Sequence, residues 1–331
     1  MTSEQRISAF IQLGTEIYQT FHAPESELNI RQQQLLQLSD RMHHSNGWFT
    51  FENTKHALLG ISFMLKEENI RPWWNQYADQ FPQEKLHAVG VIMAGNIPAV
   101  GFHDFMCVLL SGNYFIGKLS GDDKILLPAL AEVLCQAEPE FRAKIQFTEN
   151  TLKDFDAIIA TGSNNTARYF EYYFAKYPHI IRKNRNGVAL LNGNEDKEAL
   201  RNLGMDICSY FGLGCRNVSK VFIPAGYAPE KLFDAIEPYK VALNDHYKYM
   251  NNYSYQRSIL LLNQTPHLDN GVFILTESQN YASPIAVLNY EFYEDLNTIK
   301  QKLMHDNELI QCIATEAFAG VKTVKFGATQ Q

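Results

Sequence analysis

The sequence lacks the features that mark several large classes of protein. Its 36 acidic and 29 basic side chains give a net charge of −7, with no block of lysine or arginine, which argues against a nucleic-acid surface. It has no run of about 18 apolar residues that could cross a membrane. Residues 1–6 do not show the charged-then-apolar pattern of a signal peptide. We therefore expect a cytoplasmic protein without a membrane span and without a nucleic-acid partner.

Metal-binding patterns are missing as well. The ten histidines show no H-E-x-x-H spacing and the five cysteines include no C-x-x-C pair, so we expect no metal site. Four cysteines lie in apolar runs and are interpreted as buried packing residues: Cys107, Cys135, Cys208 and Cys312. The fifth, Cys215, lies in a polar turn bracketed by glycines.

Periodic patterns place an α/β domain after a helical segment. With 46% hydrophobic residues, the 331-residue chain is long enough for two domains with separate cores. Residues 1–85 read as amphipathic helices. Short apolar runs at 86–94, 112–119 and 157–160 are typical of strands buried on both faces of a parallel sheet. Each is followed by a polar loop and a helical run, which predicts a doubly wound sheet that binds ligands beyond the carboxyl ends of its strands.

A polar, basic stretch at residues 181–187 predicts the boundary between domains 1–185 and 186–331. In the second domain, the predicted strands are residues 188–191, 258–262 and 285–288, and the predicted helices are 197–211 and 293–305.

Cys215 is the candidate nucleophile. It lies between a helical run and the strand-like residues 221–224, and Gly212 and Gly214 let the backbone approach a ligand closely. Arg216 places a cation beside the sulfur, which favours the thiolate, the form that attacks carbonyl carbon. The alternative is a small packing residue in a tight turn, which is what most free cysteines are.

Three polar motifs follow predicted strands. Asn96, in a Gly-Asn-x-Pro turn, could donate a hydrogen bond to an oxyanion or simply satisfy the turn. Lys118 ends an apolar strand, where its ammonium needs a ribose, a phosphate or water. The turn Thr161-Gly162-Ser163 precedes a helix, whose N-terminus suits a phosphate, although a plain N-cap would look the same. The G-x-G-x-x-G fingerprint of dinucleotide-binding domains is absent.

Together, and in this order along residues 86–290, these motifs resemble the aldehyde dehydrogenase superfamily, specifically its acyl-CoA reductase branch, similar to the fatty-acid reductases of bacterial luminescence. The resemblance implies that Asn96 forms the oxyanion hole and that Cys215 is the nucleophile. It further implies that the cofactor is bound by Lys118, Ser120, Thr161, Gly162 and Ser163. The implied fold is aldehyde-dehydrogenase-like α/β, with a Rossmann-type cofactor domain within 1–185 and a second α/β catalytic domain within 186–331.

Departures from the superfamily pattern refine the expected reaction. Residues 180–186 hold no carboxylate where hydrolytic members carry a glutamate, so the acyl-cysteine is better suited to exchange with a thiol. Ser120-Gly121 replaces an acidic residue that often grips the ribose hydroxyls, which makes NADPH the expected cofactor and leaves NADH as the alternative. Residues 280–284 stand where the superfamily has E-x-F-G-P, without the glutamate.

The resemblance thus implies NADPH-dependent reduction of an acyl-CoA, or of an acyl-carrier thioester, to the aldehyde through an acyl-cysteine. One alternative is a thioester acyltransferase that uses the same cysteine without hydride transfer. A catalytically idle subunit of a fatty-acid reductase complex is a third reading. The expected partner is the acyl-CoA or acyl-carrier protein, and homo-oligomer formation stays open. His246 could act as a proton donor, although a structural histidine is commoner.

Overall fold

The computed structural model describes residues 1–80, 86–320 and 322–330. The chain forms two compact units, Met1–Lys183 (unit 1) and Asn184–Gln331 (unit 2). The assignment of a cofactor role to the first part of the chain and a catalytic role to the second stays a prediction.

Unit 1 opens with four helices: α1 Ser3–His22, α2 Ile30–Ser45, α3 Phe51–Met64 and α4 Glu67–Asn75. Thr2 and Asn29 cap the first two, and in each case a glutamine three residues later completes a capping box. The buried face of α1 carries Phe10, Leu13 and Ile17, which join one apolar core with the helices that cover the sheet. The amphipathic pattern of this segment therefore correctly predicts helices.

A five-stranded parallel sheet forms the rest of unit 1, in the order β3-β2-β1-β4-β5. Its strands are β1 Ala88–Ile92, β2 Tyr114–Lys118, β3 Ile145–Thr148, β4 Ala157–Thr161 and β5 His179–Arg182. The helices α5 Phe102–Leu110, α6 Leu126–Ala137 and α7 Asn164–Phe174 connect them. The strand order reverses direction between β1 and β4, which makes the crevice beyond their carboxyl ends the expected ligand site. The predicted doubly wound sheet is confirmed.

Unit 2 contains a seven-stranded sheet in the order β12-β11-β6-β7-β10-β9-β8. Its strands are β6 Asn186–Leu190, β7 Val218–Pro224, β8 Leu268–Asp269, β9 Ile274–Glu277, β10 Val287–Tyr293, β11 Ile310–Thr315 and β12 Thr323–Val324. The pairings described are parallel, apart from β8 with β9. The helices are α8 Lys197–Cys208, α9 Leu232–Ile236, α10 Lys240–Asn244, α11 Tyr247–Leu262 and α12 Leu296–His305.

The prediction of a strand at residues 258–262 is wrong, because these residues form the last turns of α11. A short apolar run has no periodicity of its own, and here it is not buried: Leu262 is 83% exposed. The predicted helix 293–305 begins later, at Leu296 after the capping side chain of Asp295. The predicted strand 285–288 starts only at Val287 and continues to Tyr293.

In the part of the chain that the structure describes, no helix is both long and apolar enough to cross a membrane.

Candidate active site

The loop that carries Cys215 begins with a sharp reversal at the end of α8. The predicted helix 197–211 stops at Cys208 and a short 3-10 turn follows, Ser209–Gly212. Tyr210, Phe211 and Gly212 take positive φ angles of 51°, 58° and 77°. The left-handed conformation is unfavourable for residues with a side chain and is often found at functional sites. The reversal leads the chain to Cys215, whose side chain is exposed.

Asn217, two residues after Cys215, braces this loop from inside. It is 3% exposed. Its side-chain Oδ1 accepts a hydrogen bond from the Gly214 N–H at 2.8 Å. Its Nδ2 donates to the carbonyl oxygens of Asp206 at 3.0 Å and Ser209 at 2.8 Å. The side chain thus ties the residue before Cys215 to the end of α8.

The other cysteines differ from Cys215 in exposure. Cys135, Cys208 and Cys312 are buried, as expected, and Cys107 is only half-buried, with its Sγ 3.7 Å from His103 Nδ1. Burial raises the pKa of the Cys107 thiol to about 12 and that of Cys312 to about 11. These thiols are therefore poor nucleophiles at neutral pH.

Arg216, the predicted cation beside the sulfur, is held by the end of the chain. Its Nε donates to the carbonyl oxygen of Thr329. The same segment is fixed by the buried Asp206, whose carboxylate accepts from Gly327 N at 2.7 Å and from Thr329 Oγ1 at 2.8 Å. Burial raises the pKa of Asp206, although these hydrogen bonds oppose the shift. That Arg216 favours the thiolate form of Cys215 stays a prediction.

His246, the candidate proton donor, has a structural task. Its Nδ1 accepts from Tyr249 N at 3.2 Å and so caps α11. The imidazole also packs against the Phe211 ring, with centroids 4.1 Å apart. This contact supports the reversal that precedes Cys215.

A small cavity of mixed polar and apolar lining lies behind the Cys215 loop. Phe211 and Gly212 form one side of it, and Leu243, Tyr249 and Phe273 contribute further apolar surface. Ser283 and Pro284, from the segment aligned by resemblance with E-x-F-G-P, line the same cavity. Unit 2 thus brings this segment and the start of the Cys215 loop together.

In unit 1, the turn that carries Asn96 is held by a buried carboxylate that the sequence does not single out. Asp123 is 7% exposed; it accepts from Ala99 N at 2.8 Å and from Leu126 N at 3.3 Å. Ala99 has a φ of 52°, so the turn after β1 is strained. A Cβ at Gly95 would lie 2.4 Å from Ser120 Oγ, so a side chain fits at this position only if Ser120 moves. Asn96 itself is exposed.

Lys118, at the end of β2, points toward β3. Its Nζ donates to the Glu149 carbonyl oxygen at 3.2 Å, and the Glu149 carboxylate forms an ion pair with Lys124. Two cations and one carboxylate therefore surround the carboxyl end of β2, beside Ser120.

The Thr161-Gly162-Ser163 turn joins β4 to α7. Ser163 Oγ accepts from Thr166 N at 3.2 Å, which is the N-cap reading of this motif. Since the first N–H groups of a helix have no partner inside it, those of Asn164 and Asn165 remain directed at the space before α7. The cap and a phosphate site are thus compatible.

The carboxyl edge of the unit 1 sheet gathers the candidates of that unit. Neighbouring strands β2, β1 and β4 end at Lys118, Ile92 and Thr161, with Ile92 paired to Lys118 and to Ala160. The structure thereby places the six predicted residues of unit 1 on one edge: Asn96, Lys118, Ser120, Thr161, Gly162 and Ser163. Cys215 lies in unit 2. Among the described residues, no group of three or more His, Cys, Asp or Glu side chains could hold a metal ion.

The sequence matches the family model described as "Acyl-CoA reductase (LuxC)" over residues 29–233. The chain belongs to this family. It is therefore an oxidoreductase of the kind that acts on acyl or aldehyde groups. No curated protein matches the chain.

Solved aldehyde dehydrogenases share the fold of this family member. A putative aldehyde dehydrogenase from Burkholderia cenocepacia is 13% identical with a TM-score of 0.65, covering 97% of this chain and 76% of its own. An indole-3-acetaldehyde dehydrogenase from P. syringae, in complex with NAD+, is 12% identical with a TM-score of 0.66, covering 98% and 74%. The Mycobacterium tuberculosis aldehyde dehydrogenase complexed with NAD+ is 12% identical with a TM-score of 0.62, and the match covers 97% of this chain and 79% of that one. The predicted aldehyde-dehydrogenase-like fold is confirmed.

Proposed function

We propose that this chain reduces an acyl-CoA, or an acyl group on a carrier protein, to the aldehyde with NADPH through a covalent acyl-Cys215. The observation that carries the proposal is the contrast among the five cysteines. Cys215 is exposed on a braced, strained loop, whereas the other thiols are buried or half-buried. Membership of the acyl-CoA reductase family supports this substrate class.

Cys215 Sγ, as the thiolate, attacks the thioester carbon and forms a C–S bond. The carbonyl oxygen takes up negative charge in this step, and we assign Asn96 to its oxyanion hole, as the resemblance to the aldehyde dehydrogenase superfamily implies. When the tetrahedral carbon collapses, the thioester C–S bond breaks and CoA leaves as a thiolate. Because a thiolate is a good leaving group, this step needs no strong general base. NADPH, when bound, supplies the hydride that turns the acyl-cysteine into the aldehyde and frees the sulfur.

The residues of unit 1 fit a nicotinamide dinucleotide. The N-terminus of α7, an eleven-residue helix, adjoins the crevice between β1 and β4 and offers N–H groups to a pyrophosphate. The solved aldehyde dehydrogenases from P. syringae and M. tuberculosis hold NAD+. We assign Thr161, Gly162 and Ser163 to the pyrophosphate and Lys118 to the adenosine ribose.

The charges around β2 support NADPH rather than NADH. Lys118 and Lys124 approach Glu149, whose carboxylate Lys124 already neutralises. Ser120 and Gly121 carry no charge that would repel a 2′-phosphate. The Lys118 ammonium donates to a main-chain carbonyl oxygen rather than to a carboxylate, so its charge is complementary to the phosphate that distinguishes NADPH.

The surroundings of β5 support transfer to a thiol rather than hydrolysis. Carboxylates next to this strand are paired: Arg182 binds both oxygens of Asp104, at 2.7 and 2.6 Å, and Lys183 pairs with Glu171 at 2.9 Å. A carboxylate paired in this way is a weak base for activating water.

The direct test follows NADPH absorbance with octanoyl-CoA and other acyl-CoA chain lengths, using the wild type and Cys215→Ser. We expect oxidation that yields aldehyde and is lost in the variant. Absence of oxidation at every chain length would refute the proposal. Binding titrations with NADPH separate the acyltransferase alternative, since a transferase that only passes the acyl group between thiols should not bind it.

The remaining assignments belong to the same proposal. The partner is an acyl-CoA or an acyl-carrier protein, and the compartment is the cytoplasm. Fractionation of the native host and activity with acyl groups on either carrier would test them.

A further inference from the structure

We propose that Asn217 is a positioning residue for Cys215: its side chain fixes the loop that sets where the sulfur lies. The inference rests on the proposed role of Cys215 for its catalytic consequence, but the loop geometry on which it stands is independent of that role.

Asn217 spans the loop with hydrogen bonds from both ends of its side-chain amide. Oδ1 holds the N–H of Gly214, the residue that directly precedes Cys215, while Nδ2 holds carbonyl oxygens on both sides of the end of α8, at Asp206 and Ser209. Between these anchors lie the left-handed residues Tyr210, Phe211 and Gly212. Left-handed residues with side chains persist only where the surroundings hold them. Asn217 supplies that hold from the buried side.

The chemistry of the brace requires an amide. It offers one acceptor for Gly214 and donors for two carbonyl oxygens, whereas a carboxylate offers acceptors alone. An aspartate would therefore face the carbonyls of Asp206 and Ser209 with negative charge. The brace is also closely fitted, because a Cβ at Gly214 would lie 2.7 Å from Asn217 Oδ1.

The test compares Asn217→Ala and Gly214→Ala with the matched control Thr315→Ala in the full chain. Thr315 is also buried in unit 2, at 4% exposed, and its Oγ1 donates to the Leu190 carbonyl oxygen at 2.9 Å. Two measurements are made: hydrogen exchange of residues 209–215, and kcat and KM with octanoyl-CoA and NADPH. The second alanine variant serves if Asn217→Ala does not fold.

We expect exchange at the backbone amide of residue 214 to rise about tenfold or more in Asn217→Ala and Gly214→Ala but not in Thr315→Ala. We expect kcat to fall by about 10²-fold, with the KM for NADPH little changed, because a displaced nucleophile slows the chemical step and leaves cofactor binding intact.

Unchanged exchange would show that Asn217 does not hold the loop. Faster exchange with normal kcat would show that the hold is structural only, and both results overturn the proposal. If the wild type does not reduce octanoyl-CoA, the proposed function fails, and the exchange comparison still decides whether Asn217 braces the loop.

Discussion

Exposure and burial give the five thiols of this chain different reactivities, and the difference is measurable without any substrate. Cys215 is exposed, three cysteines are buried, and the half-buried Cys107 has a pKa raised to about 12 by burial and by the neighbouring Asp104. We expect a single equivalent of iodoacetamide at pH 8 to modify Cys215 first. Peptide mass spectrometry identifies the site, and Cys215→Ser should then leave the protein largely unlabelled. Prior labelling of Cys107 would contradict this assignment.

Lys124 gives the residue-scale test of cofactor choice. Its ammonium pairs with Glu149 beside Lys118, where the proposal places the end of the cofactor that carries the 2′-phosphate. We expect Lys124→Ala to raise the KM for NADPH about tenfold while changing that for NADH little, since an ammonium contributes most to a doubly charged partner. Steady-state kinetics with both cofactors measure the ratio. An equal rise in the KM for both cofactors would show that Lys124 does not recognise the 2′-phosphate. Lys153→Ala, at an exposed lysine, is the control.

At the scale of elements, Asp123 links the turn after β1 to the start of α6. Its two oxygens accept from Ala99 N and Leu126 N, so an isosteric amide must turn its NH2 toward one of these donors. We expect Asp123→Asn to lower the free energy of unfolding by about 1–3 kcal/mol. Urea denaturation measures the loss. Asp122→Asn, at the exposed neighbour, should cost little, and equal losses in the two variants would refute the linking role.

An ion cluster around the buried Lys220 joins β7, β10 and α12 in unit 2. Lys220 on β7 is fully buried, and its ammonium binds the carboxylate of Glu291 on β10, which also binds Lys302 on α12. The Lys220 ammonium also lies 4.8 Å from the centre of the Phe222 ring. The carboxylate of β10 therefore balances the charges of two lysines, one on β7 and one on α12.

We expect Glu291→Gln to destabilise the protein by about 3–5 kcal/mol, because it leaves the Lys220 charge buried without its carboxylate. Desolvation acts to raise the pKa of Glu291, but its bonds to Lys220 and Lys302 outweigh it and lower the pKa. The stabilisation is therefore present above the ordinary glutamate pKa of about 4.3 and is lost as the pH falls through the lower folded value.

Urea titrations of the wild type and Glu291→Gln at neutral and acidic pH provide the measurement. The stability gap between them should narrow below about pH 4. The exposed Glu294→Gln is the control, and a gap that widens in acid would reverse the assigned sign.

The elements also show what a sequence can and cannot reveal. Apolar runs with clear flanking turns correctly predict β1, β2 and β4, because strands buried on both faces need apolar residues throughout. The last turns of α11 carry a similar run, for which the sequence wrongly predicts a strand. Five residues are too few to distinguish the helical period of 3.6 residues from the strand period of two. Short strands such as β8 and β12 leave almost no pattern at all.

The candidate residues themselves follow from motif order, but their supports do not. Asn217 and Asp123 are ordinary polar residues in the sequence, and their tasks arise only from main-chain groups that the fold brings near them. Likewise, nothing in Tyr210-Phe211 predicts two left-handed residues, because that conformation is imposed by packing against His246 and by the brace from Asn217. The assigned roles of Asn96, Lys118, Ser120, Thr161, Gly162, Ser163 and Cys215 stay predictions.

At the scale of the whole molecule, the junction between the two compact units is an accessible basic segment. Residues 183–185, between β5 and β6, are exposed and include Lys183 and Arg185. We expect limited trypsin digestion to cut first at this segment, giving fragments close to Met1–Lys183 and Asn184–Gln331. Mass spectrometry of early time points identifies the cuts, and Lys183→Gln with Arg185→Gln should slow them. Earlier cleavage inside either unit would contradict this division.

The hydrogen bonds from Asp206 and Arg216 to residues 327–329 have a consequence for biosynthesis. These contacts join positions more than a hundred residues apart, whereas Asn217 reaches partners no more than 11 residues away. During translation the local hydrogen bonds of Asn217 can form early, but the Asp206 carboxylate and the Arg216 guanidinium gain these partners only after residues 327–329 have emerged from the ribosome. The nascent polypeptide therefore carries Cys215 before its surroundings are complete, and this part of unit 2 matures only after residue 329 has been synthesised.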